Sequence, residues 1–204
     1  MAEEHPQLHY WERFPRHGEH GTPAHVPPGE DLAALRRGAN RLPGSVPAMW
    51  RFYAAPDGDG PSPGPELAAE HHALVLFGLH QQGVREPLAH DPGRTIGTAL
   101  RELRRGPRYR DRETSLDARV AAAATATTLD ELAWHLRALV RFLRDEAIGF
   151  DYTGLWRDLV AWQQRGGPER VRRRWGRDYF AWGERPAPAA TGDTEEENGE
   201  TTDD

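Results

Sequence analysis

The sequence predicts an all-α protein, two small helical bundle lobes followed by a disordered acidic C-terminal tail, and three observations lead there. Apolar residues recur at helical steps in most stretches from Glu66 to Trp182. No segment alternates apolar and polar side chains well enough for a strand. Residues 184–204 carry eight acids against Arg185 alone and too little apolar surface to bury. A chain of 204 residues is long enough for one sizeable core or two small ones.

The elements follow in order. Eleven of the 17 prolines lie in residues 1–65, which divides the first third into short pieces. Two short helices are expected there. Asp31 to Asn40 has Leu32 and Leu35 at helical spacing and Gly38 weakening its end; Val46 to Ala55 is entered through Pro47 as a first-turn proline. PDGDGPSPGP at 56–65 is a loop. From Glu66, the residues Leu67, His71, Leu74, Phe77 and Gly78 keep helical steps up to Gly83, a C-terminal stop, and make the central helix of the first lobe. After HDPG at 90–93, a helix from Thr95 to Arg105 turns Ile96, Leu100 and Leu103 inward and leaves Arg101, Arg104 and Arg105 outside. GPRYRDRET then breaks the chain and marks the lobe boundary, with an N-terminal lobe over 1–112 and a C-terminal bundle over 113–183.

In the second half, Ser115 opens an alanine-rich helix, and Thr128 with Glu131 forms a capping box. The helix that follows carries the stripe Leu132, Leu136, Leu139, Val140 and Leu143 and ends at Gly149. Asp151 caps the next helix, through Trp156, Leu159, Val160 and Trp162. Pro168 starts the last one, with Val171, Trp175, Tyr179 and Trp182 inward. The seven tryptophans fall mostly on core faces in this scheme, as packing residues rather than stacking platforms.

Composition excludes several chemistries. With no cysteine, disulfide scaffolds, thiolate zinc sites and cysteine nucleophiles are ruled out. The opening MAEEHPQLHYWERF has acids and histidine where a secretory signal needs a basic start, and no later segment approaches the apolar length that spans a bilayer. The expectation is a soluble, cytoplasmic protein without a membrane partner and without a cofactor. The net charge of −6 is uneven: the tail holds −7, leaving +1 for the rest, and all 26 basic residues are arginine. Arginine is planar, permanently charged and able to donate in pairs, which suits it to phosphate.

Arg137, Arg141 and Arg144 stand at i, i+4 and i+7, offset by only about 40° to 60° around the helix axis, and form one basic edge. Arg170, Arg173, Arg174 and Arg177 form another, and Arg36 and Arg37 lie beside the Leu32 and Leu35 face. Each stripe alone fits a solvated face with local acidic partners. Converging, they would follow phosphates rather than read bases, and about five neutralised phosphates of a single strand predict a log-log salt slope of roughly −3.5. The acidic tail would compete for the same surface. An enzyme is the other possibility, because His71, His72, His80, His90 and Asp91 have metal-ligand chemistry, and His90 with Asp91 has the order of the dyad in metal-dependent HD phosphohydrolases. However, His71 and His72 point to different faces and Asp91 precedes a proline in a turn, so these histidines are assigned to helix packing and no metal site is expected. The alternative that ranks ahead of the enzyme is a pure scaffold whose arginines serve protein interfaces.

Several segments, in order, resemble the CasB family, the small subunit of the type I-E CRISPR surveillance complex Cascade. They are DLAALRRG (31–38), HHALVLFGLHQQG (71–83) with GRTIGTALREL (93–103), LAWHLRALVRFLRDEAIGFDYTGLWRDLVAWQ (132–163) and RVRRRWGRDYF (170–180). The resemblance implies a two-lobed, all-helical, non-catalytic protein that packs head to tail with a second copy. It implies contacts to the guide-RNA backbone subunits and the large subunit, and a basic surface that holds guide RNA and target DNA chiefly through phosphates. Sequence is then read by pairing to the guide, so a sequence-blind surface suffices. Carried over residue by residue, the expected strand contacts are Arg36, Arg37, Arg101, Arg137, Arg141 and Arg144, with Arg119 and Arg172 as further candidates. The PDGDGPSPGP loop and the acidic tail depart from the family pattern.

Overall fold

The computed structural model describes residues 8–14, 26–58, 60–84, 86, 88–110 and 112–182. The acidic tail expected from 184 lies outside them. The described residues form seven α-helices and two 3₁₀ helices: η1 (Tyr10–Arg13), α1 (Gly29–Arg36), η2 (Pro47–Phe52), α2 (Pro65–His80), α3 (Ile96–Arg105), α4 (Glu113–Thr125), α5 (Leu129–Asp145), α6 (Tyr152–Trp162) and α7 (Gly167–Phe180). No strand occurs among them; one isolated parallel bridge joins His90 to Phe150.

α2 is apolar almost all round, with every residue from Ala69 to His80 buried, the pattern of a helix enclosed by others. It packs against α1, α5 and α6, while α3 lies along α7 and α4 along α5. The expected boundary at 112/113 falls between α3 and α4, and contacts across it are extensive: the apolar faces of both halves meet in one contiguous cluster. Glycine permits two of the closest approaches. A Cβ on Gly78 would meet Leu35 Cβ at 2.8 Å and Leu32 O at 3.2 Å, and one on Gly97 would meet Asp178 Cβ at 2.8 Å and Trp175 O at 3.0 Å. Each is a backbone-to-helix contact that a side chain would push apart.

Local signals set most helix starts. Thr95, Thr128 and Asp151 accept hydrogen bonds from the backbone N–H groups of Thr98, Glu131 and Gly154, satisfying first-turn donors that have no partner within the helix. Glu131 completes its side of the box one residue early, accepting from Thr127 N at 2.7 Å. α1 starts at Gly29 and stops at Arg36, shorter than the expected 31–40, with Asn40 in the left-handed region at φ 60°. The helix expected over 46–55 is a 3₁₀ turn: three residues per turn place Met49 and Phe52 directly over one another, both in the core. α5 ends at Asp145, not Gly149. Ala147 takes φ 55°, and the N–H groups of Ile148 and Ala147 close onto the carbonyls of Leu143 and Arg144 at 2.9 and 3.0 Å, a Schellman motif with alanine in the glycine position.

One expectation about an aromatic residue is corrected. Trp182 is 58% exposed because Ala181, at φ 54°, ends α7 at Phe180 and takes the indole out of helical register. Trp11, Trp162 and Trp175 are buried and Trp156 packs half-buried against the core, so four of the seven tryptophans lie in or on the core, while Trp50 and Trp134 join Trp182 at the surface.

Candidate nucleic-acid interface

α4 and α5 are consecutive helices joined through Ala126, Thr127 and Thr128, and a groove of about 560 Å³ runs between them. Ser115, Ala118, Arg119 and Ala122 line it from α4; Trp134, His135, Arg137, Ala138 and Arg141 line it from α5. None of these residues carries a carboxylate. Small side chains form the floor and guanidinium groups the walls. Arg119 lies over the Phe142 ring, its Cζ 5.4 Å from the centroid, and Arg141 is exposed; neither enters an ion pair among the described residues. Arg137 donates from Nη1 to Asn40 Oδ1 at 2.6 Å, which joins the groove wall to the turn after α1. Its buried Nε has no hydrogen-bond partner among the described residues, and burial, then the neighbouring Arg141 charge, lowers its pKa from the ordinary arginine value. A smaller cleft of about 220 Å³ continues past Arg119 and adds Arg108 and Arg112 from the α3–α4 link, together with Asp145.

The expected site residues therefore divide. Arg119, Arg137 and Arg141 share the groove. Arg144 is outside its lining and is held by Asp145 at 2.8 Å. Arg172 faces the other way: Nε donates to Ala124 O and Nη2 to Ala126 O at 3.0 Å, with the guanidinium 5.1 Å from the Trp162 ring centroid. It clamps the α4–α5 turn from behind. Arg36 reaches the Gly78 carbonyl at 3.4 Å, Arg37 lies with Arg51 and Trp50 in a separate groove between α1 and η2, and Arg101 stands on α3 outside both linings. The stripe on α7 is largely spent on neighbours, Arg174 on Asp158, Arg177 on Asp178 and Arg170 on the Arg165 carbonyl. Arg108, Arg112, Trp134 and His135 were not expected at a site; the first two sit in the stretch read only as a chain break.

The histidines serve packing positions. His71 bridges the Tyr53 hydroxyl at 2.7 Å and the Gly38 carbonyl at 3.0 Å, His80 meets the Tyr152 hydroxyl at 3.1 Å, and His90 Nδ1 accepts from Tyr152 N at 3.1 Å. Burial pushes the imidazoles of His72 and His80 down to about 4 and about 3. The His72 contact to Asp130 at 3.1 Å is thus a hydrogen bond from a neutral ring at neutral pH, although its geometry is that of an ion pair. No group of three metal-ligating side chains occurs among the described residues, and no helix among them is long and apolar enough to cross a membrane.

Fold and site together define an all-helical bundle that presents an arginine-walled surface groove. The family model for the CRISPR-associated protein Cse2 matches residues 31–180. The chain belongs to this Cse2, or CasB, family. CasB from Thermobifida fusca is 34% identical over 74% of this chain and 84% of its own, with a TM-score of 0.59. CasB from Thermus thermophilus is 26% identical over 74% and 86%, with a TM-score of 0.57. A chain from a structure described as a CRISPR RNA-guided surveillance complex shares the fold at 24% identity over 76% and 83%, with a TM-score of 0.58. No curated protein matches the chain.

Proposed function

We propose that the chain is a non-catalytic small subunit of a type I-E Cascade complex that grips nucleic-acid backbone without reading sequence and stabilises the target and displaced strands of the R-loop. The partners are the guide-RNA backbone subunits, the large subunit, a second copy packed head to tail, and guide RNA and target DNA through their phosphates, in the cytoplasm. The observation that carries this reading is the α4–α5 groove, with three guanidiniums and no lining carboxylate. Family membership and the shared fold of the surveillance-complex chain support the setting. A groove that follows phosphates fits a complex in which base pairing supplies specificity.

A second reading, a scaffold without direct nucleic-acid contact, is favoured by cations already paired within the chain, Arg104 with Glu113 and Asp117, Arg108 with Glu146 and Arg144 with Asp145. Binding of single-stranded DNA titrated with salt separates the two. Three arginines neutralising about three phosphates give a log-log slope of roughly −2, and Arg141→Ala lowers its magnitude by about 0.7. An affinity indifferent to salt and to Arg141 would leave only the scaffold.

A further inference from the structure

We propose that Trp134 is a stacking platform for an unpaired base, so that the α4–α5 groove takes a single strand with its phosphates on Arg119 and Arg141 and one base on the Trp134 indole. This inference rests on the nucleic-acid reading above and narrows it to the single-stranded form. Trp134 is 62% exposed, on the solvent side of an amphipathic helix whose apolar stripe from Leu132 to Leu143 is buried. Exposing so large an apolar ring forfeits burial that a core tryptophan would supply, and the ring stands at the rim of the carboxylate-free groove.

Helical geometry places Trp134 in line with that groove. Arg137, Ala138 and Arg141 follow it at i+3, i+4 and i+7, on one face of α5. The separation from Trp134 to Arg141 is about 10 Å along the axis, the length of roughly two or three nucleotides in a strand. His135 packs against the indole in a T-shaped contact, ring centroids 4.8 Å apart at 81°, and Trp134 keeps most of its surface open to solvent beside it. Ala118, Ala122 and Ala138 leave the floor low enough for a sugar-phosphate backbone to approach. A duplex keeps its base faces stacked on one another, whereas a single strand has a face to offer, and an aromatic ring beside a basic track is the arrangement that binds such strands irrespective of sequence.

The test uses the full-length chain, a labelled oligo-dT, an abasic oligonucleotide of equal length, and three variants, with thermal melts to confirm that each is folded. Trp134→Ala is expected to weaken oligo-dT binding by about 5- to 100-fold and to leave both the abasic affinity and the salt slope unchanged, since no charge is lost. Trp134→Phe keeps most of the oligo-dT affinity. Arg141→Ala weakens both ligands alike. If Trp134→Ala leaves oligo-dT binding intact, or weakens both ligands equally, while Arg141→Ala still acts, the platform is wrong and the phosphate groove stands. If the unaltered chain binds neither ligand, the platform and the nucleic-acid reading fall together. Loss of co-purifying protein subunits in Trp134→Ala with intact oligo-dT binding would make the indole a protein contact and overturn the proposal.

Discussion

Among single residues, the most consequential for stability are the buried polar groups of α2. Glu70, with no exposed surface, accepts from Ala54 N, Ala55 N and the His9 ring at 2.6 to 3.0 Å, and so ties η1 and the chain after η2 to one carboxylate. His80 is enclosed between Tyr152 and Phe150, and burial holds its pKa at about 3. An unfolded imidazole takes up its proton near pH 6.5, so between that value and about 3 the unfolded chain binds one more proton at this position. The stability His80 confers by staying neutral is complete above pH 6.5 and drains away as pH falls. Urea unfolding should therefore lose about 1.4 kcal/mol per pH unit from this histidine below pH 6.5. His80→Gln, which keeps a hydrogen-bonding amide near Tyr152, should flatten that dependence by about the same slope; an identical acid limb in both proteins would refute the assignment.

At the scale of elements, the C-terminal cap of α5 offers the sharpest test. Alanine at φ 55° bears a penalty that glycine does not, while every hydrogen bond of the Schellman motif is already made. Ala147→Gly should raise the thermal midpoint by a few degrees, the equivalent of about 1 kcal/mol in a chain of this size; an unchanged or lower midpoint would mean that the left-handed alanine carries no strain. This cap also shows what the sequence could and could not disclose. Thr128, Glu131 and Asp151 were legible because a capping bond spans three residues, and the Leu132 to Leu143 stripe because burial repeats with the helix. The stop at Ala147 was hidden, since its left-handed turn is imposed by packing after Ile148 and not by a glycine. Likewise the α5 edge of Arg137 and Arg141 was visible at i, i+4, but its opposite wall was not. Arg119 reaches it because α4 lies along α5, and Arg144, paired with the adjacent Asp145, is not among its lining residues. Trp134 sits off the apolar stripe, a position that periodicity alone does not value.

Over the whole molecule, the telling feature is that α2 and α3 supply the surfaces that α5, α6 and α7 cover. Leu136, Leu139, Val140 and Leu143 are enclosed in a cluster that includes Leu74, Phe77 and Leu79 of α2. The fragment 113–182 alone would leave that stripe in water at a cost of roughly 1.5–3 kcal/mol per large side chain. Circular dichroism should show a cooperative melt for the full chain and none for the fragment; a cooperative melt of the fragment would establish the second half as an autonomous unit. Long-range sharing of this kind leaves no mark on local periodicity.

The Arg172 clamp has a mechanical consequence. Tension on a strand lying between α4 and α5 would prise the two helices apart at the turn that joins them. The end of α4 and the start of that turn are held from behind by one guanidinium that grasps the Ala124 and Ala126 carbonyls and rests on the Trp162 ring of α6. In the proposed function, a pull on the end of α4 would thus be passed through Arg172 into α6 and α7.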